Sequence, residues 1–289
     1  VSLYELLERP TLDEPVMIMS LDGWIDAGGG AASAAERLKE QLDLEPIASF
    51  DTDSLLDHRA RRPTMHLVDG VNTGLTWPTI ELEAASDEDG KDVLMLHGVE
   101  PDHSWPTFAQ AVVELAELFD VRLIIGLGAY PAAVPHTRPV RLASSASSPE
   151  LSRLLGFVRG TLDVPAGVQA AIEREAADAG IPSIGLWAQV PHYASAMPYP
   201  AGGAALVEGL AQVADLQVDA GPLVEATAAT RERLDALVAD SDEHRELVTQ
   251  LEHHVDAEEE GDEGEGPELE LQSGDELAAE VERFLRDQD

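Results

Sequence analysis

SLDGWIDAGGGA, residues 20–31, follows the apolar run Val16-Met17-Ile18-Met19 and precedes a helical pattern that reaches about Leu42, with Ala35, Leu38 and Leu42 on one face. Strand, glycine-rich turn and helix in that order form the front of a βα unit. Such a turn sets backbone amides and a helix N-terminus at the carboxyl edge of a sheet, where α/β folds bind ligands. Asp22, Gly23, Trp24, Asp26 and Gly28 lie inside it and are candidate ligand-binding residues. Phosphate is not the expected ligand: no Gly-Lys-Ser/Thr follows, Ser33 stands where a dinucleotide fingerprint needs glycine or alanine, and two aspartates oppose an anion. The competing reading is that the glycines serve a tight turn and close helix–sheet packing.

The alternation continues outward. Residues 47–50, 93–96, 121–125 and 183–190 suit further strands, and 108–118, 166–179 and 201–216 suit helices. Residues 140–143 fit a short strand, and Ser147-Ser148-Pro149-Glu150 reads as a helix start. The pattern predicts an α/β protein, a three-layer α/β/α sandwich. One segment departs from it. Arg59, Arg61 and Arg62 precede two alternating runs, Met65-His66-Leu67-Val68 and Leu75-Thr76-Trp77, with turn residues over 69–74. A β-hairpin insertion over 64–82 is expected, of the exposed apolar kind that serves as a contact between copies.

Of the 289 residues 44% are hydrophobic, none is cysteine, and the net charge is −38. Disulfides, thiolate metal sites and cysteine nucleophiles are therefore excluded. No apolar run approaches the roughly 18 residues of a membrane span, and residues 1–15 lack the basic-then-apolar layout of a signal peptide, so a cytoplasmic location is expected. The acidic field makes nucleic acid and anionic membrane poor partners. From Arg231 onward 22 acids face 5 bases. The expected organisation is a core domain over 1–220, a helical lid or extension over 221–255 broken near Asp240-Ser241-Asp242, an acidic disordered linker over 256–272, and a terminal amphipathic helix over 273–289.

Three more loops follow strand ends. The first carries His97, Glu100 and Asp102, the second Tyr130, His136 and Arg138 between prolines, and the third His192 and Tyr193. If the strands are parallel, these loops and the glycine turn converge on one edge and line a polar cleft. Histidine and carboxylates there suit proton exchange, and a rigid loop bearing arginine suits a carboxylate or phosphate. Solvated loops and surface ion pairs explain the same residues. The histidine spacing matches no metal motif, no Gly-x-Ser-x-Gly elbow is present, and no cofactor or metal is expected.

Four blocks carry a family likeness: GWIDAGGGA (23–31), HGVEPD (97–102), GAYPAAVPHTRP (128–139) and GIPSIGLWAQVPHYASAMPYP (180–200). Together they resemble the proteasome assembly chaperone 2 family, in its actinobacterial branch. The resemblance implies an α/β/α core like that of phosphorylase/hydrolase-fold proteins and, from eukaryotic members, a role in assembling proteasome rings. It transfers no catalytic set. Two functions follow as expectations. The first is a non-catalytic ligand-binding or assembly protein, a homo-oligomer, with a trimer through the hairpin expected, and with a protein partner. The second is an enzyme acting on a small polar substrate, such as a nucleoside or peptide-like compound, in the strand-end cleft.

Overall fold

The computed structural model describes residues 3–23, 25–156 and 161–259. In chain order its first half holds β1 (Tyr4–Leu6), β2 (Val16–Asp22), α1 (Gly30–Gln41), β3 (Glu45–Phe50), α2 (Thr52–Leu55), β4 (Thr64–Val68), β5 (Val71–Thr76) and β6 (Ile80–Ser86). Next come β7 (Asp92–Val99), α3 (Trp105–Leu118), β8 (Leu123–Ala132), β9 (Leu142–Ala146), α4 (Pro149–Ser152) and α5 (Val168–Ala179). The last elements are β10 (Ser183–Pro191), α6 (Pro200–Ala214), α7 (Pro222–Ala239) and α8 (Asp242–Glu259).

Eight strands form one sheet in the order β1-β3-β6-β7-β2-β8-β10-β9. The four central strands, β7, β2, β8 and β10, are parallel. Parallel strands need helices on both faces, and their sequences show it. Val16 to Met19 and Val93 to Leu96 are buried without alternation. On one face Ile18, Met95 and Ile125 pack with Leu38 of α1 and Leu206 and Leu210 of α6. On the other, Met17, Leu94 and Ile124 pack with Phe108 and Val112 of α3 and Ile172 of α5. Each such side chain contributes about 1.5–3 kcal/mol when fully buried. The chain is thus a three-layer α/β/α protein. Among the described residues no helix is long and apolar enough to cross a membrane.

The flanking strands are antiparallel and differ in character. In β6, Ile80, Leu82 and Ala84 are buried while Glu81 and Glu83 face outward, the alternation of a strand with one open face. This strand corrects the sequence expectation of a hairpin over 64–82. The hairpin is β4–β5 and ends at Thr76; after Trp77-Pro78-Thr79, residues 80–86 join the main sheet between β3 and β7. Pro78 has no N–H to offer a ladder, which separates the two pairings. The helix start at Ser148 gives only the single turn α4, capped by the Ser148 hydroxyl. The helical extension breaks at residues 240–241, and α8 runs to Glu259, past the expected linker start at 256. The terminal amphipathic helix and the linker beyond 259 lie outside the described residues, as does Trp24.

Gly98, near the end of β7, has φ +122°, and a Cβ there would stand 2.1 Å from the Thr79 carbonyl oxygen. Both the backbone conformation and the space require glycine. Gly98→Ala is expected to cost about 3 kcal/mol or more, from overpacking plus strain. Urea unfolding followed by tryptophan fluorescence checks this, and an unchanged midpoint contradicts it.

Candidate functional site

The parallel strands bring all four strand-end segments to one edge, but the candidate side chains divide among separate stations. At the first, Asp26 accepts the N–H groups of Ala31 and Ala32 at 2.7 and 3.0 Å and closes the N-terminus of α1. The helix end that a phosphate would occupy is filled by the chain's own carboxylate. Gly28, at φ +64°, donates its N–H to the Ser195 carbonyl at 2.7 Å and accepts from Tyr199 N–H at 2.8 Å. A Cβ at Gly28 would lie 2.6 Å from that of Tyr199. The glycine turn is therefore pinned to the segment leading into α6. Burial pushes the Tyr199 phenol up to about 12. An open groove of about 470 Å³ runs beside this joint, lined by Asp26, Ser33, Glu36, Met197 and Tyr199 among others.

The second station joins β2 to β7. Asp22 sits opposite Val99 in the ladder, and its carbonyl accepts Glu100 N–H at 2.7 Å. The Glu100 carboxylate accepts the N–H of Val168, the first residue of α5, at 2.6 Å. Gly23 packs against this carboxylate, since a Cβ there would be 2.5 Å from Cβ of Glu100. Asp102 accepts Asp57 N–H at 2.8 Å and Nε–H of Arg61 at 3.1 Å. Burial opposes the charge on Asp102, but these donors outweigh it and hold its carboxyl below the ordinary range. Asp22 goes the other way: crowding by protein atoms, then the charge of Asp26, raises its carboxyl above the ordinary value.

His97 belongs to neither group. It lies within β7, and its Nε2 stands 2.8 Å from Glu83 Oε2 on β6. Glu81, Glu83 and His97 place one possible ligand atom each within 4.8 Å of one another, but the histidine and Glu83 already satisfy each other.

The third station lies under the C-terminal helices. His136, with a side chain only 1% exposed, has Nε2 3.1 Å from Asp235 on α7 and Nδ1 2.6 Å from the Tyr193 hydroxyl. The same hydroxyl accepts the His136 backbone N–H at 2.9 Å. A neutral ring with its proton on Nε2 satisfies both contacts: Tyr193 donates to Nδ1 and the ring donates to Asp235. Burial pushes the Tyr193 phenol up to about 12. Arg138 is bidentate to Asp256 of α8, both bonds at 2.7 Å, and reaches Glu252 at 3.1 Å. His192 is exposed, its ring edge-on to Tyr193. Tyr130 is raised by burial and bonds to Gln189.

The PAC2 family model matches residues 20–238, which contain every one of these stations except α8. This chain belongs to the PAC2 family. Three solved structures agree in fold and sequence. A protein of unknown function from Mycobacterium tuberculosis is 37% identical, with TM-score 0.82, covering 90% of this chain and 93% of its own. One of unknown function from Corynebacterium glutamicum is 35% identical, with TM-score 0.81 and coverage of 89% and 98%. A proteasome-assembly chaperone homologue of Mycobacterium tuberculosis is 31% identical, with TM-score 0.75 and coverage of 81% and 99%. No curated protein matches. The relatives are actinobacterial, in agreement with the likeness carried by the four sequence blocks.

In this PAC2 chain Asp26, Glu100, Asp102, His136 and Arg138 are engaged in capping helices or pinning loops. The one hydroxyl–imidazole contact described among the candidates, Tyr193 to His136 with Asp235 behind it, has its histidine side chain closed off at 1% exposure. The partners that complete the stations were not evident beforehand. Arg61 stood out only as part of a basic run, and Glu83, Asp235, Glu252 and Asp256 are a few acids among 56.

The two aspartates of the glycine turn predict opposite effects on stability. Asp26→Ala removes a helix cap and is expected to cost about 1 kcal/mol. Asp22 has a raised folded-state pKa, so its charge disfavours the fold above that pKa, and below the ordinary 3.8 both states are protonated. Asp22→Asn is therefore expected to raise the urea midpoint at pH 7, with the gain fading as pH falls toward 3.8. Loss of stability at pH 7 from Asp22→Asn would contradict this assignment.

Proposed function

We propose that this PAC2 protein is a non-catalytic, chaperone-like assembly protein of the cytoplasm. It acts as a homo-oligomer, a trimer, joined through the β4–β5 ribbon, and offers its strand-end edge to a protein partner. The ribbon carries the reading. It forms its own two-stranded sheet, apart from the main one. Met65, Leu67, Val68, Val71, Leu75 and Trp77 on and beside it are 45–63% exposed. An apolar ribbon in water is unfavourable, and its unpaired edges offer backbone groups to another chain. Its base is held by the Trp77 ring edge-on to His58 at 4.9 Å and by Arg61 on Asp102, so the projecting position is built in.

The name of the 31% identical Mycobacterium relative makes proteasome subunits the first partners to test. The engagement of His136, Arg138 and Glu100 in structural contacts favours binding over catalysis. The net charge of −38 favours a protein partner over nucleic acid or anionic lipid.

Sedimentation of the parent chain at micromolar concentration is expected to give the mass of three chains. A Leu67→Asp, Val71→Asp variant is expected to give one, with its melting curve nearly unchanged because both residues are exposed. A monomeric parent overturns the oligomer. Mixing the protein with separately purified proteasome subunits is expected to speed formation of assembled rings on native gels. Unchanged assembly, with no complex formed, removes the chaperone-like role.

A further inference from the structure

Helix α8 is attached differently from the rest of the chain. Among the described residues 242–258, Val248, Leu251 and Val255 are the buried ones, a single narrow stripe. None of the three belongs to either of the two main cores, whereas Leu234 of α7 does. Helix α7 is also held by the buried His136 through Asp235 and by Arg231 on the Thr137 carbonyl. Between the two helices only residues 240–241 are non-helical. Helix α8 is thus joined to α7 by a two-residue link and lies outside both cores.

Beside that apolar stripe α8 is held by charge, and the charge is concentrated. Arg138 grips Asp256 with two bonds and Glu252 with a third. Arg141 binds Glu258 at 2.7 Å and the Val255 carbonyl at 3.0 Å. The Thr137 hydroxyl donates to Glu252 as well. The chain has 18 Lys and Arg residues against 56 Asp and Glu, and two of those cations stand three residues apart under one helix. Arg138 is half-buried, and its bidentate grip holds Asp256 below the ordinary carboxyl range.

We propose that the surface of residues 137–141 covered by α8 is a docking site for an acidic amphipathic helix. Helix α8 is its resident occupant, and a partner's helix of the same chemistry displaces it. The occupant's pattern defines the partner: three apolar residues spaced as 248, 251 and 255, with carboxylates spaced as 252, 256 and 258. Helix-in-groove recognition uses this spacing, and the paired arginines add the charge selection. The inference deepens the reading of the chain as a protein-binding assembly factor. Its test needs no proteasome subunit, so the two can fail separately.

The experiment uses the full chain and a fluorescein-labelled peptide of residues 242–259, read by anisotropy at low salt. A variant with its own helix disarmed, Glu252→Gln, Asp256→Asn, Glu258→Gln, is expected to bind the peptide roughly ten-fold tighter than the parent, because the competitor is weakened. Adding Arg138→Gln and Arg141→Gln to that variant is expected to abolish binding. A scrambled peptide of equal composition is expected not to bind. Hydrogen exchange supplies the second readout: α8 amides of the disarmed variant are expected to exchange faster while those of α6 stay protected, which shows the body folded. Equal affinity for parent and disarmed chains overturns the proposal, as does binding that survives loss of both arginines. Association of the disarmed variant beyond the parent's own oligomeric state, without peptide, also overturns it, by assigning the site to a second copy of the chain.

Discussion

The close approach of residues 26–30 to residues 195–203 sets the geometry of the strand-end edge. Helices α1 and α6 lie side by side on one face of the sheet, with Gly30 of α1 against Gly202 of α6 and Gly203 of α6 against Ser33 of α1. A Cβ at Gly30 would be 2.9 Å from that of Ala129, and one at Gly203 would be 2.2 Å from the Ser33 hydroxyl. Two backbone hydrogen bonds through Gly28 complete the joint. Because the two helices follow β2 and β10, the joint fixes the strand-end loops of both strands at once. The turn that looks like a ligand cradle is thus first a structural rivet, and Asp26 fills the anion position that the helix end creates.

The same economy runs through the other stations. A carboxylate or imidazole buried at a strand end is costly unless it is paired. Here each finds a backbone amide, a helix N-terminus or an opposite charge nearby. Glu100 ties β7 to α5, and Asp102 ties α2's following loop to the segment before α3. His136 ties the β8–β9 connection to α7. Asp22 is the exception. Its raised pKa marks a carboxylate held against its electrostatic preference, at the solvent end of β2 near the charge of Asp26.

Scarce cations serve as joints between elements. Arg37 binds the carbonyl and carboxylate of Asp219, Lys91 holds Asp215, and Arg122 reaches the Ala214 carbonyl. All three act on the end of α6 or the short stretch that follows it. Arg138 and Arg141 do the same for α8. Exposed ion pairs are individually weak and screened by salt. In a chain of net charge −38 they also relieve local repulsion, so the peripheral helices depend on a few arginines more than the sheet does.

Local pattern was enough for the frame. The unbroken apolar runs at 16–19, 93–96 and 123–127 announce buried parallel strands, because a strand covered on both faces has no polar side. Glycine and proline punctuation placed the helices, and the polar run Asp240-Ser241-Asp242 placed the break at 240–241. Strand β6 escaped notice because its alternating Ile80, Leu82 and Ala84 continue the rhythm of the hairpin before it, and only pairing with β3 and β7 distinguishes the two. The site was less readable still. Residue types and strand-end positions indicated the edge, but which acid meets which base depends on contacts between residues far apart in the chain, such as His136 with Asp235 or Arg138 with Asp256. With 56 acids available to 18 cations, no spacing in the chain selects the partner; the packing of α7 and α8 does.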